Sequence, residues 1–180
     1  MSGLPAPTPW GWHPLSDQWA ARIVADAQVR PGDLVLDVGA GEGALTTHLV
    51  AAGARVIAVE LHPGRVGRLR ERFAAAPVTV VRADAGSLRL PRRPFRVVAS
   101  PPYAISSRLL RTLLGAHSRL FAADLVLQRA VVRRFAEGRA PGAGRWLRQW
   151  ELRPGLALPR RAFRPPPQVD SSVLVVRRRR

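Results

Sequence analysis

Ser100-Pro101-Pro102-Tyr103 closes an apolar run, Phe95-Arg96-Val97-Val98-Ala99, and lies about sixty residues after a glycine-rich turn, Asp37-Val38-Gly39-Ala40-Gly41-Glu42-Gly43. An amino group conjugated to a heteroaromatic ring is a poor nucleophile, because its lone pair is delocalised into the ring. Two hydrogen-bond acceptors set against its N–H bonds favour the geometry that frees the lone pair, and Ser100 Oγ and the Pro101 carbonyl are such acceptors. The two prolines restrict the chain to an extended shape and remove competing N–H donors. Tyr103 offers a flat face on which an unstacked base can rest. The chemistry this set supports is methyl transfer to the exocyclic amine of a nucleobase.

Such a corner needs a rigid frame, and the hydrophobic periodicity supplies one. Ser16 or Asp17 is placed to cap a helix in which Trp19, Ile23, Val24 and Ala27 recur at helical spacing, until Arg30-Pro31-Gly32 stops it. Short apolar runs at 34–36, 55–60, 78–81 and 95–99 read as buried strands. Between them lie helices at 45–52 and 63–73, the second with Val66, Leu69 and Phe73 on one face and Arg65, Arg68 and Arg72 on a solvated one. A helix with Leu109, Leu110, Leu113 and Leu114 follows, then a strand around 123–127 and a helix over 128–135. The Gly/Pro-rich stretch 137–144 reads as a surface loop. Two further strands are expected at 146–152 and 172–176, joined through a proline-rich connection. Strand–helix alternation at this spacing predicts an α/β fold, a doubly wound parallel sheet of seven strands. The chain divides into an irregular N-terminal segment, 1–15, a domain over 16–176, and a basic tail, 177–180.

In an open parallel sheet the ligand sits beyond the carboxyl ends of the strands. Gly39 and Gly41 let the backbone pass close to it. Glu60 ends the second strand, where a carboxylate accepts from ribose hydroxyls, and Asp84 ends the third, where it accepts from an adenine amine. An adenosine with a charged tail fits this set. An ordinary strand–helix turn would use the same glycines, and a solvated strand end or a helix cap would use the same acids; their shared register favours the ligand. The spacing lacks the third glycine of the dinucleotide fingerprint, and Glu42 would face a pyrophosphate, which disfavours a nicotinamide cofactor.

Twenty-nine basic residues against 12 acidic give a net charge of +17, and every basic residue is arginine. Asparagine is also absent, so part of the arginine excess reflects GC-rich coding. The sign of the charge does not, and it favours a polyanionic partner, nucleic acid first. Cysteine is absent, which excludes disulfides, thiolate metal sites and a cysteine nucleophile. No metal site is expected. No signal segment and no apolar run long enough for a membrane span is present, so a cytoplasmic protein with no membrane partner is expected.

With these residues in hand, the chain resembles the erythromycin-resistance rRNA adenine N6-methyltransferases and, more distantly, the dimethyladenosine transferases of small-subunit rRNA. The resemblance covers residues 11–176. It rests on Val35-Leu36-Asp37-Val38-Gly39-Ala40-Gly41-Glu42-Gly43, Val59-Glu60, Ala83-Asp84, Ser100-Pro101-Pro102-Tyr103 with Ile105-Ser106, and Phe163-Arg164-Pro165-Pro166-Pro167 leading to Val169-Asp170-Ser171. It implies a Rossmann-like class I methyltransferase domain using S-adenosylmethionine, held by Gly39, Gly41, Glu60 and Asp84 with Ser100 near the methyl group. The family's N-terminal motif falls on Trp12-His13-Pro14-Leu15, so His13 and Leu15 are expected in the cofactor pocket. Phe163 matches an aromatic that would face Tyr103 across the target base; a core residue anchoring the proline-rich loop is the plainer reading. The closer resemblance implies 23S rRNA or a large-subunit precursor as partner, macrolide resistance as phenotype, and a monomer.

Two departures bear on this. The family carries asparagine where Ser100 stands, and serine there is shared with amino methyltransferases of cytosine N4, so a DNA amino methyltransferase is the alternative enzyme. Relatives also append a small helical domain, whereas here four arginines end the chain. RNA contacts are therefore assigned to Arg108, Arg111 and Arg164 and to the tail, Arg177, Arg178, Arg179 and Arg180. A rival of another class is a non-catalytic RNA-binding or ribosome-assembly protein on the same fold.

Overall fold

The computed structural model describes residues 11–179. The first ten residues of the N-terminal segment and Arg180 of the basic run lie outside them. Seven strands form one sheet: β1 (Leu34–Val38), β2 (Arg55–Glu60), β3 (Val78–Arg82), β4 (Phe95–Ala99), β5 (Leu120–Gln128), β6 (Trp150–Leu158) and β7 (Ser171–Arg178). Their order is β3-β2-β1-β4-β5-β7-β6. The first five run parallel, but β7 is antiparallel to both β5 and β6, so the sheet is mixed and not parallel throughout as expected: β6 and β7 are joined without a crossover α-helix, which a parallel pair needs. The order reverses between β1 and β4, so the ends of these two strands meet at the switch point where such sheets bind ligands.

Helices cover both faces. Helix α1 (Asp17–Ala27) buries Ala20, Ile23, Val24 and Ala27, and α2 (Ala44–Ala51) buries Leu45 and Leu49. Together they cover Val35, Val56, Val98 and Val126 on one side of the sheet. Ser16 occupies the N-cap position of α1 but its side chain makes no capping bond. Helix α3 (Pro63–Arg72) begins at proline, where a missing N–H costs nothing, and packs Leu69 with Phe73 against Ala58. On the other side, α4 (Ser106–Leu113) and α5 (Arg129–Ala136) cover Val97, Ala99, Leu125 and Leu127.

The region 137–152 differs from expectation. Residues 146–149 are not strand; instead α6 (Ala143–Trp146) forms a single turn within what reads as a Gly/Pro-rich loop. Its Ala143 and Trp146 are buried, and the Trp146 ring stacks on Phe135 at 5.7 Å. That long-range stacking gives the segment a core to fold on. Strand β6 starts at Trp150 and continues through Pro154 with a register shift before Ala157. It is the last strand in the order, and proline is tolerated at a sheet edge, where one row of N–H groups has no partner.

The end of the chain also differs. Strand β7 runs through Arg178, two residues beyond the expected boundary at 176, so Arg177 and Arg178 are sheet residues and not a free tail. Arg177 donates to Asp124 Oδ1 at 3.0 Å and to the Ala123 carbonyl at 3.0 Å, and Arg179 Nε donates to the Leu147 carbonyl at 2.9 Å. Asp124 is buried in the middle of β5 and also faces Arg96 on β4, at 3.4 Å. Arg96 reaches Asp33 at 3.3 Å in turn. Burying Asp124 is tolerable because two guanidinium groups surround it. Removing one member of such a network strands the others in low dielectric. Asp124→Ala is expected to lower the unfolding free energy by roughly 3–5 kcal/mol, read as a fall in the denaturant midpoint.

Candidate active site

The turn after β1 and the segment after β4 touch. Gly39 has φ +76, and a Cβ there would lie 3.1 Å from Pro102 Cδ and 3.3 Å from Pro101 Cα. Only glycine satisfies both the left-handed backbone and the close approach. The Gly39 and Ala40 amides both donate to the Val59 carbonyl, at 2.8 and 3.0 Å, which ties the turn to the end of β2.

Glu60, buried at that strand end, completes the clasp. Its Oε2 accepts from the Gly41 amide at 2.8 Å, and Oε1 accepts from the Leu61 and His62 amides at 3.0 and 2.9 Å. A carboxylate has about four acceptor positions, so one remains toward the cavity for a hydroxyl. Asp84 is exposed; its Oδ1 accepts from the Gly86 amide at 2.8 Å, starting a short turn at 85–87, and Oδ2 is free of that bond.

A cavity of 390 Å³ opens at this corner, within the range of small-molecule sites. His13, Gly39, Glu60, Asp84, Ser100, Pro101, Tyr103 and Phe163 all line it. Gly41 and Leu15 do not. Gly41 lies behind the wall, where a Cβ would fall 2.6 Å from Trp12 Nε1, and it acts through its amide on Glu60. Leu15 lines an adjoining 250 Å³ cavity that shares Trp12, His13, Gly39 and Ser100 with the first, and it packs in the core beside Phe163.

Phe163 is only 1 % exposed. It forms part of the cavity wall while belonging to the core, which is the plainer of its two sequence readings. The ring that lies alongside Tyr103 is His13, at 6.2 Å between centroids and 21° between planes. Arg108 and Arg111 are exposed on α4, and Arg164 is exposed on the β6–β7 connection. Strand β7 points the other way: Arg177 pairs across from Ala122, level with Arg96 near the start of β4, so residues 177–179 lie at the end of the sheet opposite Ser100.

Among the wall residues given no role from the sequence are Arg65, Leu61 and Trp12. Arg65 is assigned above to a solvated helix face, yet its side chain is 12 % exposed, its Cζ sits 3.7 Å over the Trp12 ring, and its Nη1 is 3.7 Å from Glu60 Oε1. A guanidinium over an indole face is held by the ring quadrupole. Leu61, 39 % exposed, is an apolar plate beside Glu60, and its position directly after a strand-end acid was the available signal. Trp12 gave no periodic signal.

The fold and the corner define a class I S-adenosylmethionine-dependent methyltransferase. The donor fits the residues present: a glycine cradle that a Cβ would fill, a strand-end carboxylate with a free acceptor position, an apolar plate and a cavity of suitable size. The family follows from comparison with known proteins. The model for ribosomal RNA adenine dimethylases matches residues 15–180, and the chain belongs to that family. The ribosomal RNA small subunit methyltransferase A of Thermosynechococcus vestitus is 37% identical, over 93% of this chain and 68% of its own length. An rRNA methyltransferase of Streptomyces thermotolerans is 39% identical over 88% of this chain, which spans 54% of it. The crystal structure of the 23S rRNA methyltransferase ErmE aligns with a TM-score of 0.83 at 33% identity, covering 92% of this chain and 69% of that one. The resemblance seen in the sequence is thereby placed at the level of the family that holds both branches, rather than in the erythromycin-resistance branch alone.

Beneath the turn, Asp37 is fully buried and its Oδ2 accepts from Thr46 Oγ1 at 2.7 Å. Burial, opposed by the Thr46 bond and reinforced by the charge of Glu60, pushes its pKa from 3.8 up to about 7. The folded state then holds this proton more tightly than the unfolded chain does. The penalty for ionising Asp37 begins to accrue above pH 3.8 and is complete above about 7. Asp37→Asn, which keeps an acceptor for Thr46, is expected to flatten the fall of stability across this window, with a gain at its upper end approaching about 4 kcal/mol. Urea denaturation at a series of pH values measures it.

Proposed function

We propose that this protein methylates the N6 amine of an adenine in large-subunit rRNA, and that modification of the macrolide-binding site makes its host resistant to those drugs. The observation that carries the reading is the single cavity in which Ser100, Pro101 and Tyr103 meet Gly39 and Glu60. The likeness to the 23S rRNA methyltransferase ErmE favours the large subunit. A second reading, a small-subunit rRNA target, is favoured by the small subunit methyltransferase A relatives at 37% and 38% identity.

Bound S-adenosylmethionine supplies an electrophilic methyl group on a sulfonium. Gly39, Glu60, Asp84 and His13, which line the cavity, would hold it, and Leu61 would offer it an apolar contact. Ser100 Oγ and the Pro101 carbonyl accept the two N–H bonds of the amine and turn its lone pair toward the methyl carbon. Once methylated by the donor, the amine nitrogen would be acidic and would release its proton to water. No general base is required, so orientation provides most of the acceleration. Arg108, against the 85–87 turn, and Arg164 contact phosphates around the mouth, and Arg111 contacts them farther along α4.

Incubating the purified protein with tritiated donor and, separately, 23S rRNA, 16S rRNA and duplex DNA tests the target. Label at an adenine N6 of 23S rRNA is expected. Label confined to 16S rRNA overturns the large-subunit reading in favour of the second, and label confined to DNA overturns the RNA target. Expression in a susceptible host is expected to raise macrolide tolerance. Ser100→Ala is expected to slow turnover about tenfold, the value of one hydrogen bond made in the transition state. Cofactor affinity by calorimetry should stay within about twofold, since that bond is not part of donor binding.

A further inference from the structure

The phenol of Tyr103 is held by a residue far away in the chain. Tyr103 Oη and Ser171 Oγ lie 2.6 Å apart. Ser171 is the first residue of β7, fully buried, and pinned in register between Gln128 of β5 and Leu158 of β6. At the other end of Tyr103, its carbonyl accepts from Ser106 Oγ of α4 at 2.8 Å. The phenol is thus held from β7, and the main chain of the same residue from α4.

The neighbouring ring is fixed by the same connection. His13 Nδ1 lies 3.1 Å from the Pro165 carbonyl. A carbonyl only accepts, so Nδ1–H is the donor in this contact. Pro165 belongs to the segment between β6 and β7, six residues before Ser171. Both rings at the mouth therefore take their positions from one loop and the strand that follows it.

We propose that Ser171 is a positioning residue for methyl transfer: by holding the Tyr103 phenol, with the Pro165 carbonyl holding His13, it fixes the platform on which the target heterocycle is laid. A tyrosine free to turn about its side-chain torsions would still offer a flat face, but not in one orientation. The cost of that disorder falls on the chemical step rather than on donor binding. This inference deepens the proposed function and rests on it for the identity of the heterocycle, but not for the anchoring itself.

Tyr103 is the single tyrosine of the chain, so tyrosinate absorbance reports on this one phenol. Burial pushes its titration above the ordinary value of 10.0, and the Ser171 bond pulls it back. In Ser171→Ala the titration is expected to move further up. With rRNA as substrate, Ser171→Ala and Tyr103→Phe should each lower kcat about fivefold with cofactor affinity unchanged, as for one neutral hydrogen bond. The double variant should be no slower than either single one, because both remove the same bond. An unshifted phenol titration in Ser171→Ala, or additive losses in the double variant, overturns the proposal. Should Ser171→Ala fail to fold, Tyr103→Phe removes the bond from the other side without opening a cavity, and unchanged turnover there overturns it equally. If the wild-type protein methylates 16S rRNA or DNA instead, the target assignment fails while the titration and the kinetic cycle on that substrate still decide the anchoring.

Discussion

Contact between the glycine turn after β1 and the prolines after β4 is the constraint on which the site depends. A Cβ on Gly39 would stand 3.1–3.3 Å from Pro102 and Pro101, so a side chain there would push on both prolines as well as strain a left-handed backbone. That closeness fixes the distance between the donor side of the cavity and the corner that presents Ser100. The parallel strands set it: β1 and β4 pair directly, Val35 with Arg96 and Leu36 with Val97, so their ends emerge as neighbours. The Glu60 carboxylate then locks the turn to β2 through three backbone amides. The turn that carries the pocket is thus held by backbone contacts, which explains why its sequence signature is glycine and proline.

Such a signature is local, and local features were the legible ones. The strands around Val35, Val59 and Val98 and the corner at Ser100 were all visible as short apolar runs ending in turn residues. The strand-end acids Glu60 and Asp84 followed from register. What escaped is long-range. Arg65 reads as one more surface arginine until Trp12, more than fifty residues earlier, is folded beneath it. Arg177 belongs to a terminal run of like charges, which reads as a tail, until Asp124 supplies a partner 53 residues away. Nothing near either arginine in sequence announces its partner. Phe163 illustrates a different limit: the sequence offered a clamp opposite Tyr103 or a core anchor as alternatives, and the fold buries it in the core while leaving it part of the cavity wall, with His13 beside Tyr103.

A chain with arginine as its only basic residue uses that side chain in distinct ways. Arg65 lies flat on an indole beside a carboxylate. Arg96 and Arg177 share one buried aspartate and also donate to main-chain carbonyls. A lysine ammonium has no planar face to stack and no fork to bridge several acceptors. Arg108, Arg111 and Arg164, by contrast, stand in solvent, and Arg111 lies toward the far end of α4 with Trp146 and Gln149 rather than at the cavity. Net charge therefore overstates the surface available to a polyanion, since part of it is engaged within the fold.

The reversed direction of β7 has a practical consequence. The strand starts beside the cavity at Ser171 and leaves the sheet at the opposite pole, about 25 Å away for eight residues at strand rise. An affinity handle, fluorophore or immobilising linker joined beyond Arg179 would depart from the underside of the molecule. A surface-bound preparation made that way would present the substrate mouth outward, unobstructed by its own attachment.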